Sequence, residues 1–228
     1  FKAITQAAVT VVAPHMEDAS VFFMDRLSRA MLTLARQASD NGAVVIFEPS
    51  AKSDPKHFAE ALETGHILKY AFQRLADVGN VLNDNSSVLL EIQTLGEHGL
   101  RYRSKTDGTV QPWTPMSAFQ SIRLEDTCGS GGFFKAGIVD RVAAGGFESF
   151  SKLGPEDFSE ALTFGQGLAS WNTRFEGARG GMYSMTFGEF EEQVSDILGG
   201  DVRSLPEKPM SRDVQESVDC PACASQAA

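Results

Sequence analysis

Residues 126–132 read DTCGSGG and lie between a strand-like segment and a predicted helix with apolar positions at Phe134, Ile138 and Val142. Glycine lets the backbone approach a ligand closely, and the first N–H groups of a helix are unpaired donors that the helix dipole reinforces. This glycine loop, residues 126–132, therefore suits an anion, typically a phosphate group. By itself the pattern is weak, because a tight connection between two elements has the same composition.

Upstream of the glycine loop, predicted strands and helices alternate. The apolar run 43–47 fits a strand that is buried on both faces of a parallel sheet. Alternation of this kind predicts an α/β fold with a doubly wound sheet and right-handed crossovers, whose ligands bind beyond the C-terminal strand ends. The predicted strands are 21–23, 43–47, 66–68 and 87–94, and the predicted helices contain Leu27 to Ala38, begin at Asp54 and span Gln73 to Val78.

Downstream elements complete the predicted architecture. Between residues 100 and 123 the pieces are short, and Asp107-Gly108 is a hairpin signal that predicts an antiparallel edge. Three further helices are predicted to begin near Ser130, at Pro155 and at Thr186. The polar stretch after Gly200 predicts a flexible tail over 201–228, which follows a single domain over 1–200.

Charge and hydropathy exclude several classes of partner. The chain of 228 residues has 30 acidic and 20 basic side chains, and its formal charge of −10 disfavours nucleic acid and anionic membranes. No apolar run approaches the roughly 18 residues that span a bilayer, and no signal segment opens the chain, so we expect a soluble cytoplasmic protein. The first residue is Phe1, which predicts that the natural N-terminus is processed or absent.

The three cysteines are too few for a disulfide-stapled fold. Cys220 and Cys223 have the spacing of half a zinc site or of a redox pair, but no second pair accompanies them. An unstructured tail with two thiols is the simpler interpretation. Cys128, within the glycine loop, is either a reactive thiol or a small buried filler, and we expect the filler.

The glycine loop resembles the D-T-x-G-[AS]-G-D signature of the PfkB (ribokinase-like) carbohydrate kinases, at six of seven positions. Residues 93–99, QTLGEHG, resemble the family's T-L-G-x-x-G segment, and residues 47–50, FEPS, resemble its F-[DE]-P strand end. The resemblance covers roughly residues 20 to 200 and implies the C-terminal two thirds of a three-layer α/β/α sandwich. The family's N-terminal third, with its G-G-x-x-N sugar-binding motif and β lid, is missing, so the acceptor site is incomplete.

The resemblance also implies roles for individual residues. It assigns an anion hole to Gly129, Ser130 and Gly131, with Asp126 and Thr127 as structural residues. A nucleotide, ATP, is implied beside Thr94, Gly96 and Gly99, and Asn172 borders the adenine pocket, where its amide can read a base edge. Trp171 in the same region is equally well explained as a helix end packed on the core. Glu48 and Lys69 belong to the implied magnesium and phosphate network.

Two departures from the family pattern predict an impaired kinase. Gly132 stands where the family has the aspartate that takes a proton from the substrate hydroxyl, and Asp126 or Glu125 is a poor substitute. Of the K-x-N-x-x-E motif, residues 69–74 keep only Lys69. These losses also make Mg²⁺ doubtful as a cofactor. Sugar or nucleoside phosphorylation is therefore expected to be weak, a non-catalytic nucleotide sensor is the first alternative, and an active kinase completed by the missing segment or a second chain is the second.

Overall fold

The computed structural model describes residues 2–51, 54–75, 78–83, 86–121 and 123–200. The predicted tail over 201–228, with Cys220 and Cys223, lies outside these residues. Two compact units divide the chain. The first comprises Phe1–Phe119 and Phe134–Gln166, and the second comprises Gln120–Phe133 and Gly167–Ala228.

The first unit contains a mixed sheet, for which the described residues supply seven strands in the order β1-β2-β3-β4-β5-β6, with β7 also paired to β5. Strands β1 to β4 run parallel, and β5 is antiparallel to its neighbours. The mostly parallel α/β sheet with an antiparallel edge is thus confirmed. The strands are β1 (Val21–Met24), β2 (Val44–Phe47), β3 (Ile67–Ala71), β4 (Leu90–Thr94), β5 (Leu100–Thr106), β6 (Thr109–Val110) and β7 (Thr114–Met116).

Local signals set the starts of three of the helices. The Ser28 hydroxyl accepts from the Met31 N–H, Asp54 accepts from two backbone N–H groups, and Thr186 forms a capping box with Glu189. A short π-helical turn follows the fourth helix. The helices are α1 (Lys2–Val12), α2 (Arg29–Asp40), α3 (Pro55–Thr64), α4 (Ser130–Ile138), α5 (Gly146–Phe150), α6 (Pro155–Asn172) and α7 (Phe187–Gly199).

The prediction of a short helix from Gln73 to Val78 is wrong. The described part of this stretch is a turn followed by coil. Six residues offer too few backbone hydrogen bonds to repay helix nucleation without strong packing. By contrast, the Asp107-Gly108 hairpin is confirmed, and both residues have positive φ angles, 51° and 74°.

Buried His66 makes stability depend on pH. Its Nδ1 accepts the Val45 N–H at 3.0 Å, its ring packs on Phe147, and burial lowers its pKa to about 4. The unfolded chain, with the ordinary His pKa near 6.5, then binds more protons than the folded chain between these two values. Stability that is complete above about pH 6.5 is therefore lost as pH falls towards about 4.

We expect His66→Asn to remove this dependence, because an amide oxygen can accept the Val45 N–H but does not titrate. Urea unfolding at pH 7.5 and at pH 4.5 measures how the free energy of unfolding depends on pH. Wild type should lose about 2 to 3 kcal/mol more than the variant between the two conditions. An equal loss in both proteins would show that protonation of His66 does not contribute to the pH dependence of the free energy of unfolding.

Within the part of the chain that the structure describes, no helix combines the length and hydropathy needed to cross a bilayer.

Candidate functional site

The glycine loop lies in the second unit and leads directly into α4, as its composition predicts. Gly129 has φ +85°, and a Cβ at this position would lie 2.6 Å from the carbonyl oxygen of Ala178. Both the backbone angle and the close approach therefore demand glycine. The first turn of α4 closes through the Gly132 N–H, which donates to the Gly129 carbonyl at 2.8 Å.

Asp126 holds the glycine loop in shape. One carboxylate oxygen accepts the Cys128 N–H at 2.8 Å, and the other accepts the Gly177 N–H at 2.9 Å. Because both oxygens are engaged by backbone donors, Asp126 positions the loop and is poorly suited to receive a proton. Glu125 is ion-paired with Arg123. Both acids thus have partners in this structure.

Asn172 holds the glycine loop through a side-chain hydrogen bond. It is fully buried, and its Nδ2 donates to the Cys128 carbonyl at 2.8 Å. Its Oδ1 has no hydrogen-bond partner among the described residues. The amide therefore fixes the loop, and the role of Asn172 beside an adenine base stays a prediction, because its second amide atom is buried. Cys128 itself is exposed, so the expectation of a buried filler is wrong, because the loop turns this side chain outward.

Two backbone donors of the glycine loop remain available. The Ser130 N–H donates to the Thr127 carbonyl at 3.2 Å, so this donor and that of Gly132 are occupied within the turn. Among the described residues, the N–H groups of Gly129 and Gly131 have no acceptor. They are the donors that an anion at the start of α4 would meet.

Trp171 lies at the end of α6 within an aromatic cluster. Its ring is buried against Phe133, Phe175 and Phe190, and its indole N–H donates to Gln193 at 3.1 Å. Gly181 packs so closely that a Cβ there would lie 2.3 Å from the Trp171 ring. In the second unit Trp171 is therefore a core residue.

The first unit places a charged cluster at the C-terminal ends of its parallel strands. Glu48 follows β2, and its two oxygens lie 2.6 Å from Lys69 Nζ and 2.7 Å from Lys135 Nζ. We call these three residues the Glu48 cluster. The sequence pointed to Glu48 and Lys69 but not to Lys135, although Lys135 follows Gly132 by three residues in α4. Helical spacing was the signal that could have found it.

The two lysines of the Glu48 cluster determine the protonation state of Glu48. Burial opposes ionisation of Glu48, but Lys69 and Lys135 outweigh it, and the pKa of the carboxyl falls below its ordinary value. Burial lowers the pKa of Lys69, against the opposing attraction of Glu48. Glu48 is therefore an anion at neutral pH that is already neutralised by two ammonium groups, and it is a weak proton acceptor.

A clustered metal site is not seen among the described residues. They contain no group of three or more His, Cys, Asp or Glu side chains that could hold a metal ion. Mg²⁺ bound to a nucleotide usually needs one or two free protein carboxylates, whereas both oxygens of Glu48 face lysines.

Residues 93–99, which resemble T-L-G-x-x-G, lie at the end of β4 and directly after it, at the C-terminal ends of the parallel strands, as does the Glu48 cluster. Thr94 ends β4, and Gly96 and Gly99 have φ angles of +63° and +88° in the turn that leads to β5. A Cβ on Gly99 would lie 2.1 Å from the Met116 carbonyl oxygen. Both glycines are thus required by the turn itself, and Thr94 stands where ligands of parallel α/β sheets bind.

Searches of family models and of curated proteins return no match for this chain. Solved structures do match. A ribokinase from Giardia lamblia aligns with a TM-score of 0.64 at 15% identity, over 82% of this chain and 62% of that one. The fold is ribokinase-like. A Burkholderia thailandensis nucleoside kinase in complex with inosine aligns at 0.58 and 17% identity, over 85% and 62% of the two chains.

A sugar kinase from Pyrococcus horikoshii gives a TM-score of 0.58 at 15% identity, over 80% of this chain and 60% of that one. This chain therefore spans less than two thirds of the length of these ribokinase-like neighbours. The predicted fold class is confirmed, and identities this low carry the fold alone.

Proposed function

We propose that this chain is the nucleotide-binding part of a ribokinase-like small-molecule kinase, which holds ATP and transfers phosphate to a sugar or nucleoside hydroxyl only weakly. The observation that carries the proposal is the glycine loop. It meets the start of α4 with two backbone donors that lack acceptors among the described residues, and Asp126 and Asn172 hold it in place. Such a loop binds a phosphate group through fixed dipoles.

The weak phosphate transfer follows from the lack of a side chain at Gly132. A glycine has no side chain to accept the proton of a substrate hydroxyl, and general-base catalysis typically contributes about 10²- to 10⁴-fold. The neighbouring acids offer no substitute, because Asp126 and Glu125 are both engaged. Ala71 and Arg74 are a second loss, since they occupy positions that resemble the family's K-x-N-x-x-E motif.

A nucleotide sensor without catalysis is the alternative. The Glu48 cluster favours it, because the lysines occupy the carboxylate that a metal-assisted phosphotransfer would need. The sensor would bind nucleotide equally well with and without Mg²⁺. Nucleotide titrations in magnesium and in EDTA separate it from a kinase, whose affinity would depend on the metal.

The anion-binding role of the loop is tested by Gly131→Val. The added side chain restricts the backbone and crowds the donors, so we expect ATP and ADP affinity to fall at least about tenfold, the effect of losing one hydrogen bond to a charged group. Isothermal titration calorimetry measures it.

Gly188→Val is the matched control, because Gly188 also lies in the first turn of a helix of the second unit and has open space at its Cβ. It makes the same change in helix propensity and in backbone freedom without touching the loop. Unchanged nucleotide affinity in Gly131→Val, with both variants folded, would remove the loop from the proposed function.

A further inference from the structure

One face of the sheet changes from apolar to charged across β3, β4 and β5. The register pairs Glu91 with Arg103 and Gln93 with Arg101, so these four side chains share a face. Tyr70 joins them, since it is paired with Gln93. On the β1 to β3 side, the same face is covered by an apolar cluster that includes residues of α2 and α3.

The charged part of this face lacks a helical cover. The crossovers from β1 to β2 and from β2 to β3 contain α2 and α3, whereas the described residues between β3 and β4 contain no helix. A cavity of ≈ 340 Å³ lies there, and its size is at the lower end of the range for small-molecule sites. We call it the arginine cavity, and its lining includes Tyr70, Asn80, Glu91, Arg101, Arg103 and Trp113.

Among the described residues that line the arginine cavity, positive charge exceeds negative charge. Arg103 Nε donates to Glu91 at 2.6 Å, and Tyr70 donates to the other oxygen of that carboxylate at 2.9 Å. Arg101 Nε donates at 2.6 Å to the neutral amide oxygen of Gln93. Among the described residues Arg101 has no carboxylate partner, so Glu91 can neutralise one of the two guanidinium groups and no more. An anion would supply the second counter-charge.

Trp113 organises the two arginines. The guanidinium carbons of Arg101 and Arg103 lie 4.5 Å and 4.7 Å from the centroid of its ring. One indole therefore contacts both guanidinium groups and restricts their motion, and a guanidinium is the side-chain group that matches the oxygens of a carboxylate or phosphate. The arrangement is thus preorganised for a doubly charged or bidentate anion.

We propose that the arginine cavity is a second binding site, which takes a small anionic metabolite through a phosphate or carboxylate group held by Arg101 and Arg103. It is separate from the Glu48 cluster. Lys69 precedes Tyr70 in β3, and successive side chains of a strand point to opposite faces, so the two sites lie on opposite faces of the sheet. The proposal is also independent of nucleotide binding by the glycine loop.

The two tryptophans of the chain give a direct test. Trp113 lines the arginine cavity and Trp171 is buried in the second unit, so the two indole N–H signals in a nitrogen-15 NMR spectrum report on different places. Inorganic phosphate and succinate are the probes. We expect a saturable shift of the Trp113 signal with at least one of them, and comparison of the two shows whether phosphate or carboxylate is preferred.

Arg101→Gln should weaken this binding at least about tenfold, and Arg101→Lys, which keeps the charge but loses the fork, should fall between it and wild type. Arg141→Gln is the control. It removes the same charge from another guanidinium stacked on a ring, 4.0 Å from Phe164, and should leave the titration unchanged.

Two results would overturn the proposal. They are the absence of a saturable Trp113 shift with both probes and an undiminished shift in both Arg101 variants. In the first case, a phosphate response at Trp171 would still support an anion at the glycine loop, so failure of this site and failure of the proposed function are distinguishable.

Discussion

Gly132→Asp is expected to raise phosphate transfer by less than about 100-fold, although a restored general base is worth up to about 10⁴-fold. The substitution should fold, because the position has open space at its Cβ and an acid in the first turn of a helix is favoured by the dipole. The carboxylate supplies a proton acceptor. It does not release Glu48 from its two lysines or restore the residues replaced by Ala71 and Arg74.

Radiolabelled ATP with a panel of sugars and nucleosides measures this effect, and the proposed function predicts a wild-type turnover far below the ~1 to 100 s⁻¹ of ordinary kinases. Gly188→Asp, at another open position in the first turn of a helix, is the control and should change nothing. Adding Ala71→Asn and Arg74→Glu to Gly132→Asp should raise turnover further. Full recovery from the single substitution would contradict the interpretation that several losses act together.

Glu91→Leu is expected to lower the free energy of unfolding by about 3 to 5 kcal/mol, the cost of removing one partner from a buried ion pair. Glu91 is fully buried and accepts from both Arg103 and Tyr70. Burial raises the pKa of its carboxyl, against the attraction of Arg103. Without the Glu91 carboxylate, Arg103 keeps its charge but has no counter-ion among the described residues. Its side chain is only 16% exposed.

Glu60→Leu provides the matched comparison for urea unfolding. Glu60 also pairs with arginines, but the side chains of Arg29 and Arg36 are 63% and 53% exposed. Solvent replaces such partners readily, so we expect a loss of no more than about 1 kcal/mol. Equal losses in the two variants would mean that the Glu91 pair is no more desolvated than a surface pair.

Much of the fold could be predicted from the sequence because its signals are local. The continuous apolar run of β2 indicated a strand that is buried on both faces, and the structure buries all four of its residues. Asp54 and Thr186 marked helix starts through caps that need only the next three residues. The helix α1 was missed, because its sequence offers no cap signal and, among its described side chains, only Val9 is buried.

The candidate site could be predicted in part. The glycine loop could be located from its composition. A positive φ angle and close approach of another backbone segment both demand glycine, and Gly129 meets both conditions. The role of Asp126 also followed from the family resemblance. The pairing of Lys135 with Glu48 could not be assigned, because the two residues are distant in sequence and only the folded chain brings their charges to 2.7 Å.

The sequence by itself determined which segments form strands, helices and tight turns, because these depend on periodicity, capping and glycine conformations over a few residues. Only the tertiary structure decided which side chains share a sheet face and which charges meet. Strand register pairs Glu91 with Arg103 and Gln93 with Arg101, and the described residues between β3 and β4 contain no helix that would fill the arginine cavity. Both depend on contacts between segments distant in sequence, where a shift of one residue would turn every side chain to the opposite face.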